Sequence, residues 1–132
     1  MAATFEKLNW KDQQNVVVLD APESFEPELA SISATIHREF SSVKETTFLL
    51  AFVTRKTEVD ALSSQIAMRA KGDAIVWFAY PKGSSKNYKC DFNRDTGWDA
   101  MSTLGFETVR AIAIDEDWTA LRFRRSEYVK KR

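Results

Sequence analysis

Short, continuously apolar runs alternate with amphipathic and polar stretches along this chain, and their lengths predict strands and helices in turn. Asn15-Val-Val-Val-Leu-Asp20 carries the pattern of a strand covered on both faces. Thr46-Thr-Phe-Leu-Leu-Ala-Phe-Val53 and Ala74-Ile-Val-Trp-Phe-Ala-Tyr80 read the same way, as central strands. Between the first two, residues 35–40 alternate Ile36, Arg38 and Phe40 with His37 and Glu39, which predicts an edge strand with one polar face.

Helical spacing fills the intervals. Phe25, Leu29 and Ile32 predict a short helix with Ser24 as N-cap and Pro27 in its first turn. Val59, Leu62 and Ile66 form one stripe of a helix over about residues 58–70, with Thr57 and Asp60 near capping-box spacing and Gly72 as its stop. Trp98, Met101 and Leu104 recur every third residue before Gly105, predicting another short helix. The apolar stretches at 107–114 and 118–123 are joined by Asp115-Glu-Asp117, too short for a crossover helix, so they should pair as an antiparallel hairpin. Residues 124–132 are mostly charged and read as a frayed basic tail.

The resulting succession predicts an α/β fold: a three-layer, open, mostly parallel sheet of about six strands, with right-handed crossovers and spatial order 2-1-3-4-6-5. The whole of residues 1–132 fits one domain, and a chain of 132 residues buries a core without metal or disulfide support.

Composition narrows the functional classes. Lys plus Arg and Asp plus Glu both total 19, so no global field steers the protein towards nucleic acid or membranes. One cysteine, Cys90, and one histidine, His37, exclude a disulfide framework and the usual Cys/His zinc sites, which sets a reducing, cytoplasmic compartment as the expectation. No apolar run approaches the roughly 20 residues needed to span a bilayer.

Ligands of such sheets bind beyond the carboxyl ends of the parallel strands, near the point where strand order reverses. That rule gathers residues 20–23, 54–56, 81–95 and 115–117 on one edge. The loop that begins Pro81-Lys-Gly-Ser-Ser-Lys-Asn is rich in donors, and Lys82, Ser84, Ser85, Lys86 and Arg94, with Asp95 and the helix at Trp98, form a candidate anion site. The alternative is that Lys82, Lys86 and Arg94 pair with Asp91, Asp95 and the acidic turn, pinning the loop without a ligand. Neither the phosphate-binding spacing Gly-x4-Gly-Lys-Ser/Thr nor Gly-x-Gly-x-x-Gly is present. Ser84, Ser85 and Cys90 would need a base, and His37 falls on the opposite flank of the sheet, so no catalytic residue is assigned. Lys89 could lower the pKa of an exposed Cys90. The three carboxylates at 115–117 read as a solvated turn rather than a metal site, and Trp77, Trp98 and Trp118 as core aromatics.

The strand succession, with Val17-Val-Leu-Asp20, the buried run 74–80 and the closing hairpin, resembles a shortened S-adenosylmethionine-dependent methyltransferase fold, a Rossmann-like architecture. The stretches Trp77-Phe-Ala-Tyr-Pro-Lys82, Asn93-Arg-Asp-Thr-Gly-Trp98 and Ala113-Ile-Asp-Glu-Asp-Trp-Thr-Ala-Leu-Arg-Phe123 look similar to a family of small bacterial proteins of unknown function. This second resemblance implies a bacterial, single-domain protein and carries no catalytic residue. The first implies a glycine-rich turn after the first strand and an acidic residue ending the second; here the turn reads Asp20-Ala-Pro-Glu-Ser-Phe25, and Glu39 stands near the acidic position. The expectation is therefore a non-enzymatic module, without cofactor, that binds a small anionic ligand or a protein partner through 81–95. The alternative is a reduced methyltransferase-like enzyme using Asp20, Glu39 and the loop after Tyr80. Nucleic acid and membrane partners are not expected.

Overall fold

A computed structural model describes residues 3–92 and 96–129. The chain forms α1 (Ala3–Lys7), β1 (Asn15–Leu19), α2 (Glu26–Ala30), β2 (Thr35–His37), β3 (Thr46–Phe52), α3 (Lys56–Arg69), β4 (Ala70–Pro81), α4 (Asp99–Thr103), β5 (Phe106–Ala113) and β6 (Trp118–Arg125). The sheet order is β2-β1-β3-β4-β6-β5, as the sequence predicts. The first four of these strands run parallel, and β6 is antiparallel to both β4 and β5.

Continuous apolar strands follow from cover on both faces. Val17, Leu49, Val76 and Phe78 pack with Val59 and Ile66 of α3 and Met101 of α4. Their neighbours Val16, Val18, Phe48, Leu50 and Trp77 face Phe5, Leu8, Phe25 and Leu29. Helix α1, which the sequence reading omits, brings in Phe5 and Leu8, both fully buried. Trp77 Nε1 donates to the Leu8 carbonyl at 2.8 Å, which satisfies the buried indole and ties this segment to the centre of the sheet.

Four local expectations change. Ser24 lies inside a 3-10 turn, Glu23–Phe25, whose N-cap is Pro22 and makes no side-chain cap. Strand β2 stops at His37, and the chain turns into a second 3-10 segment, Phe40–Ser42, where the Phe40 ring packs beneath Arg69 at 5.1 Å. Helix α3 begins at Lys56, and Glu58 rather than Thr57 and Asp60 caps it: its Oε1 accepts from the N–H groups of Thr54 at 2.8 Å and Arg55 at 3.0 Å. The helix ends at Arg69, before Gly72, because extended Ala70 already pairs with Thr46.

The start of the expected basic tail is ordered sheet. Arg124 forks onto Asp73 through Nε at 2.8 Å and Nη2 at 2.6 Å. Arg125 stacks over Phe106 at 4.8 Å and donates to the carbonyls of Ala67 and Ala70. No helix among the described residues is long and apolar enough to cross a membrane.

Candidate functional site

Because β1, β3, β4 and β5 point the same way, their carboxyl ends and the start of β6 share one edge. Strand order reverses between β1 and β3, and a cleft of about 310 Å³ lies there. That volume stands at the lower end of the roughly 300–1,000 Å³ usual for small-molecule sites. Asp20 and Glu23 reach it from the turn after β1, Thr54 and Glu58 from the entry to α3, and Tyr88 and Trp118 from the opposite side. Asp20 holds a φ of 55°, a left-handed conformation that aspartate tolerates better than most residues, and so lets the chain reverse at the tip of β1.

Two aromatic rings form the far wall. Trp118 is 4 % exposed, with its ring centroid 4.8 Å from Tyr88 and 5.1 Å from Phe52. Its Nε1–H is buried and has no hydrogen-bond partner among the described residues. An unmade bond of this kind costs about 1–3 kcal/mol.

The loop after β4 is pinned at both ends. Asp117 accepts hydrogen bonds from Ser85 Oγ at 2.8 Å and Asn87 Nδ2 at 3.2 Å, and its carbonyl accepts from the Lys82 N–H at 2.7 Å. Ser85 Oγ in turn accepts from the backbone N–H of Tyr88 at 3.1 Å, holding that ring over the cleft. Further on, Asp91 Oδ1 accepts from the Lys56 N–H at 2.7 Å, and Phe92 packs edge-on against Trp98 at 5.0 Å. Among the described residues the loop is thus pinned by Ser85, Asn87 and Asp91, and Lys82 and Lys86 form no ion pair. Asp115 is engaged as well, accepting from the N–H groups of Asp117 and Trp118.

The expected anion set is only partly assembled. Lys82 and Ser85 line a second cleft of about 380 Å³ with Tyr88, Lys89 and Cys90, while Ser84 and Lys86 are exposed beside it. Ser85 spends its hydroxyl proton on Asp117. Trp98 belongs to the core on the α3 and α4 side, among Phe78, Phe92 and Phe123, and opens onto a separate depression with Asp99 and Ser102. Arg94 and Asp95 lie outside the described residues. Burial pushes the Cys90 thiol up, with the charges of Asp91 and Glu58 adding to it, against the lowering expected from Lys89.

His37, on β2, shares a hydrogen bond with Asn15 Oδ1 at 2.9 Å and sits across β1 and β3 from the loop. Glu39 follows in extended backbone and is exposed. Sequence reasoning missed Phe52, Tyr88 and Trp118 as lining residues. The signal available was position: Phe52 ends β3 and Trp118 opens β6, so both stand at the strand-end edge.

No family model and no curated protein matches the chain. Solved structures do. Magnesium protoporphyrin IX methyltransferase from Synechocystis PCC 6803, with bound SAH, aligns over 94% of this chain and 82% of its own with a TM-score of 0.57 at 12% identity. A fibrillarin pre-rRNA processing protein from Methanococcus jannaschii aligns over 88% and 68%, TM-score 0.57, 9% identity. A TehB-like SAM-dependent methyltransferase from Corynebacterium glutamicum aligns over 94% and 86%, TM-score 0.51, 9% identity. The chain is similar to these proteins in backbone course and not in sequence, and what it shares with them is a methyltransferase-like α/β fold.

Proposed function

We propose that the cleft between the ends of β1 and β3 binds S-adenosylmethionine or a related adenosyl sulfonium compound, and that the protein works as a reduced methyltransferase. The observation that carries this reading is the orphaned Trp118 N–H in the wall of a cleft whose other side is acidic. The lining suits such a molecule in two respects. Asp20 and Glu23 oppose its positive charge, and the faces of Trp118 and Tyr88 offer cation–π and stacking surface. The turn over residues 20–25 has no glycine, and Pro22 has no N–H to give, so recognition falls to side chains rather than to a main-chain cradle.

When bound, the sulfonium would supply an electrophilic methyl group. The chain's own contribution is to hold the cation against Asp20 and Glu23, to donate the Trp118 indole N–H to an acceptor on the ligand, and to exclude water with Tyr88. Thermal unfolding with S-adenosylmethionine and S-adenosylhomocysteine tests the reading. A ligand at about 100 times its Kd stabilises the fold by about 2.7 kcal/mol. Asp20→Asn should weaken the response to the sulfonium more than the response to the uncharged thioether. No stabilisation by either compound at millimolar concentration would sink the proposal.

A second reading keeps the anionic ligand of the sequence analysis but moves it. Lys82 and Lys89 line the second cleft and form no ion pair with a described residue. A small phosphorylated ligand there requires that Lys82→Ala and Lys89→Ala both weaken its binding; unchanged affinity in both variants removes it.

A further inference from the structure

The other buried side-chain donor without a partner among the described residues is Nε of Arg122, and it lies far from the strand-end cleft, on the β5–β6 hairpin. Arg122 faces the side of the sheet that carries Trp77, its partner across β4. Directly opposite on β5 stands Arg110. Residues in such register share one face, with Cβ atoms about 4.5–5.5 Å apart, and like charges so placed destabilise a hairpin.

An irregularity in β5 creates this pairing. Thr108 pairs with Phe123 and Arg110 with Arg122, so Val109 is an extra residue in the strand. Without that bulge, Val109 would stand opposite Arg122 and Arg110 would point to the other face, opposite Leu121. The inserted residue therefore sets two arginine side chains opposite each other on one face of the hairpin.

Neighbouring charge compensates the pair only in part, through Asp73. Arg124, two residues along the same face, is committed to its fork with Asp73, and Glu107 stands opposite Arg124 rather than opposite Arg122. Neither Arg110 nor Arg122 forms a hydrogen bond or ion pair with a described residue. Burial first, and then the charges of Arg124 and Arg110, outweigh the opposing charge of Asp73 and hold the Arg122 guanidinium below its ordinary value. A multivalent oxyanion would satisfy the buried Nε–H, bridge both planar forks and cancel the repulsion.

We propose that Arg110 and Arg122 form a binding site for a phosphate group on the outer hairpin of the sheet. The test follows the Arg122 side-chain Nε–H resonance by NMR while inorganic phosphate replaces chloride at constant ionic strength. The expected result is a saturable shift at Arg122, weakened at least tenfold in Arg110→Ala, which alters an exposed side chain, and also weakened in Arg122→Lys, which keeps charge and loses the fork. A parallel titration with glycerol phosphate separates the sources: tighter binding marks an organic phosphate ester, and equal affinity marks the free ion. A linear, non-saturating response, or saturable binding that Arg110→Ala leaves unchanged, would overturn the assignment. The readout is local to the hairpin, so it is independent of any ligand bound at Lys82 and Lys89.

Discussion

The Ser85 hydroxyl donates to Asp117 Oδ1 at 2.8 Å, joining the loop after β4 to the turn between β5 and β6 across 32 residues of sequence. That bond, with Asn87 on the same carboxylate, holds Tyr88 where it walls both clefts. Asp117→Ala should cost about 1–3 kcal/mol in urea unfolding and Ser85→Ala about 1 kcal/mol. In a double-mutant cycle the two should couple by about 0.5–1.5 kcal/mol. Additive losses would show that the loop is held by other contacts.

Gly97 is the position where a side chain fits worst. Its φ is +92°, and a Cβ built there would stand 2.7 Å from Phe92 Cβ. Gly97→Ala should destabilise the fold by about 1–3 kcal/mol from backbone strain alone, before the clash is counted. Because Phe92 packs on Tyr80 and Trp98, near-ultraviolet circular dichroism should change with it. A variant as stable as the parent would mean that the turn relaxes freely.

The Arg124 guanidinium, by its hydrogen bonds first and its charge second, holds the Asp73 carboxyl below the usual aspartate range. A carboxyl depressed in this way binds fewer protons folded than unfolded at low pH. Its contribution is therefore present above the ordinary aspartate pKa and lost as pH falls through the folded value. Urea midpoints measured below about pH 4 should fall more steeply in the parent than in Asp73→Asn. Parallel curves would remove Asp73 as a contributor to acid sensitivity.

Cys90 should react slowly. With its thiol pushed up by burial, alkylation by iodoacetamide at neutral pH should run more slowly than that of the same chain in urea, and accelerate as pH rises past the ordinary thiol range. A fast, pH-flat reaction in the folded state would contradict the burial seen here.

The sheet was readable because its strands are buried on both faces. Val16 to Val18, Leu49 to Phe52 and Ile75 to Ala79 leave no polar interruption to confuse with a helix, and Asp115-Glu-Asp117 forces a hairpin by length alone. Helix α1 escaped notice because Phe5 and Leu8 give one turn of apolar spacing and no more. The cap of α3 was misread within the local pattern, where Glu58 takes the place of Thr57 and Asp60, while a further acceptor at the same helix start, Asp91 on the Lys56 N–H, comes from 35 residues away. The site shows the same division. Its edge follows from topology, but the cleft is lined by Asp20, Thr54, Tyr88 and Trp118, and nothing in sequence spacing brings those four together. Trp98 is buried in the core, as its reading as a core aromatic predicts.

The hydrogen bond from Trp77 to Leu8 also sets an order of events. Its two ends are 69 residues apart, and at about 5–20 residues per second the indole is synthesised about 3–14 s after the carbonyl it needs. During that interval Phe5 and Leu8 have no strand β4 to seal against. Docking of α1 is therefore a late step of biosynthesis, completed when the middle of the sheet emerges, and a nascent chain paused before Trp77 would expose the N-terminal aromatic cluster to chaperones.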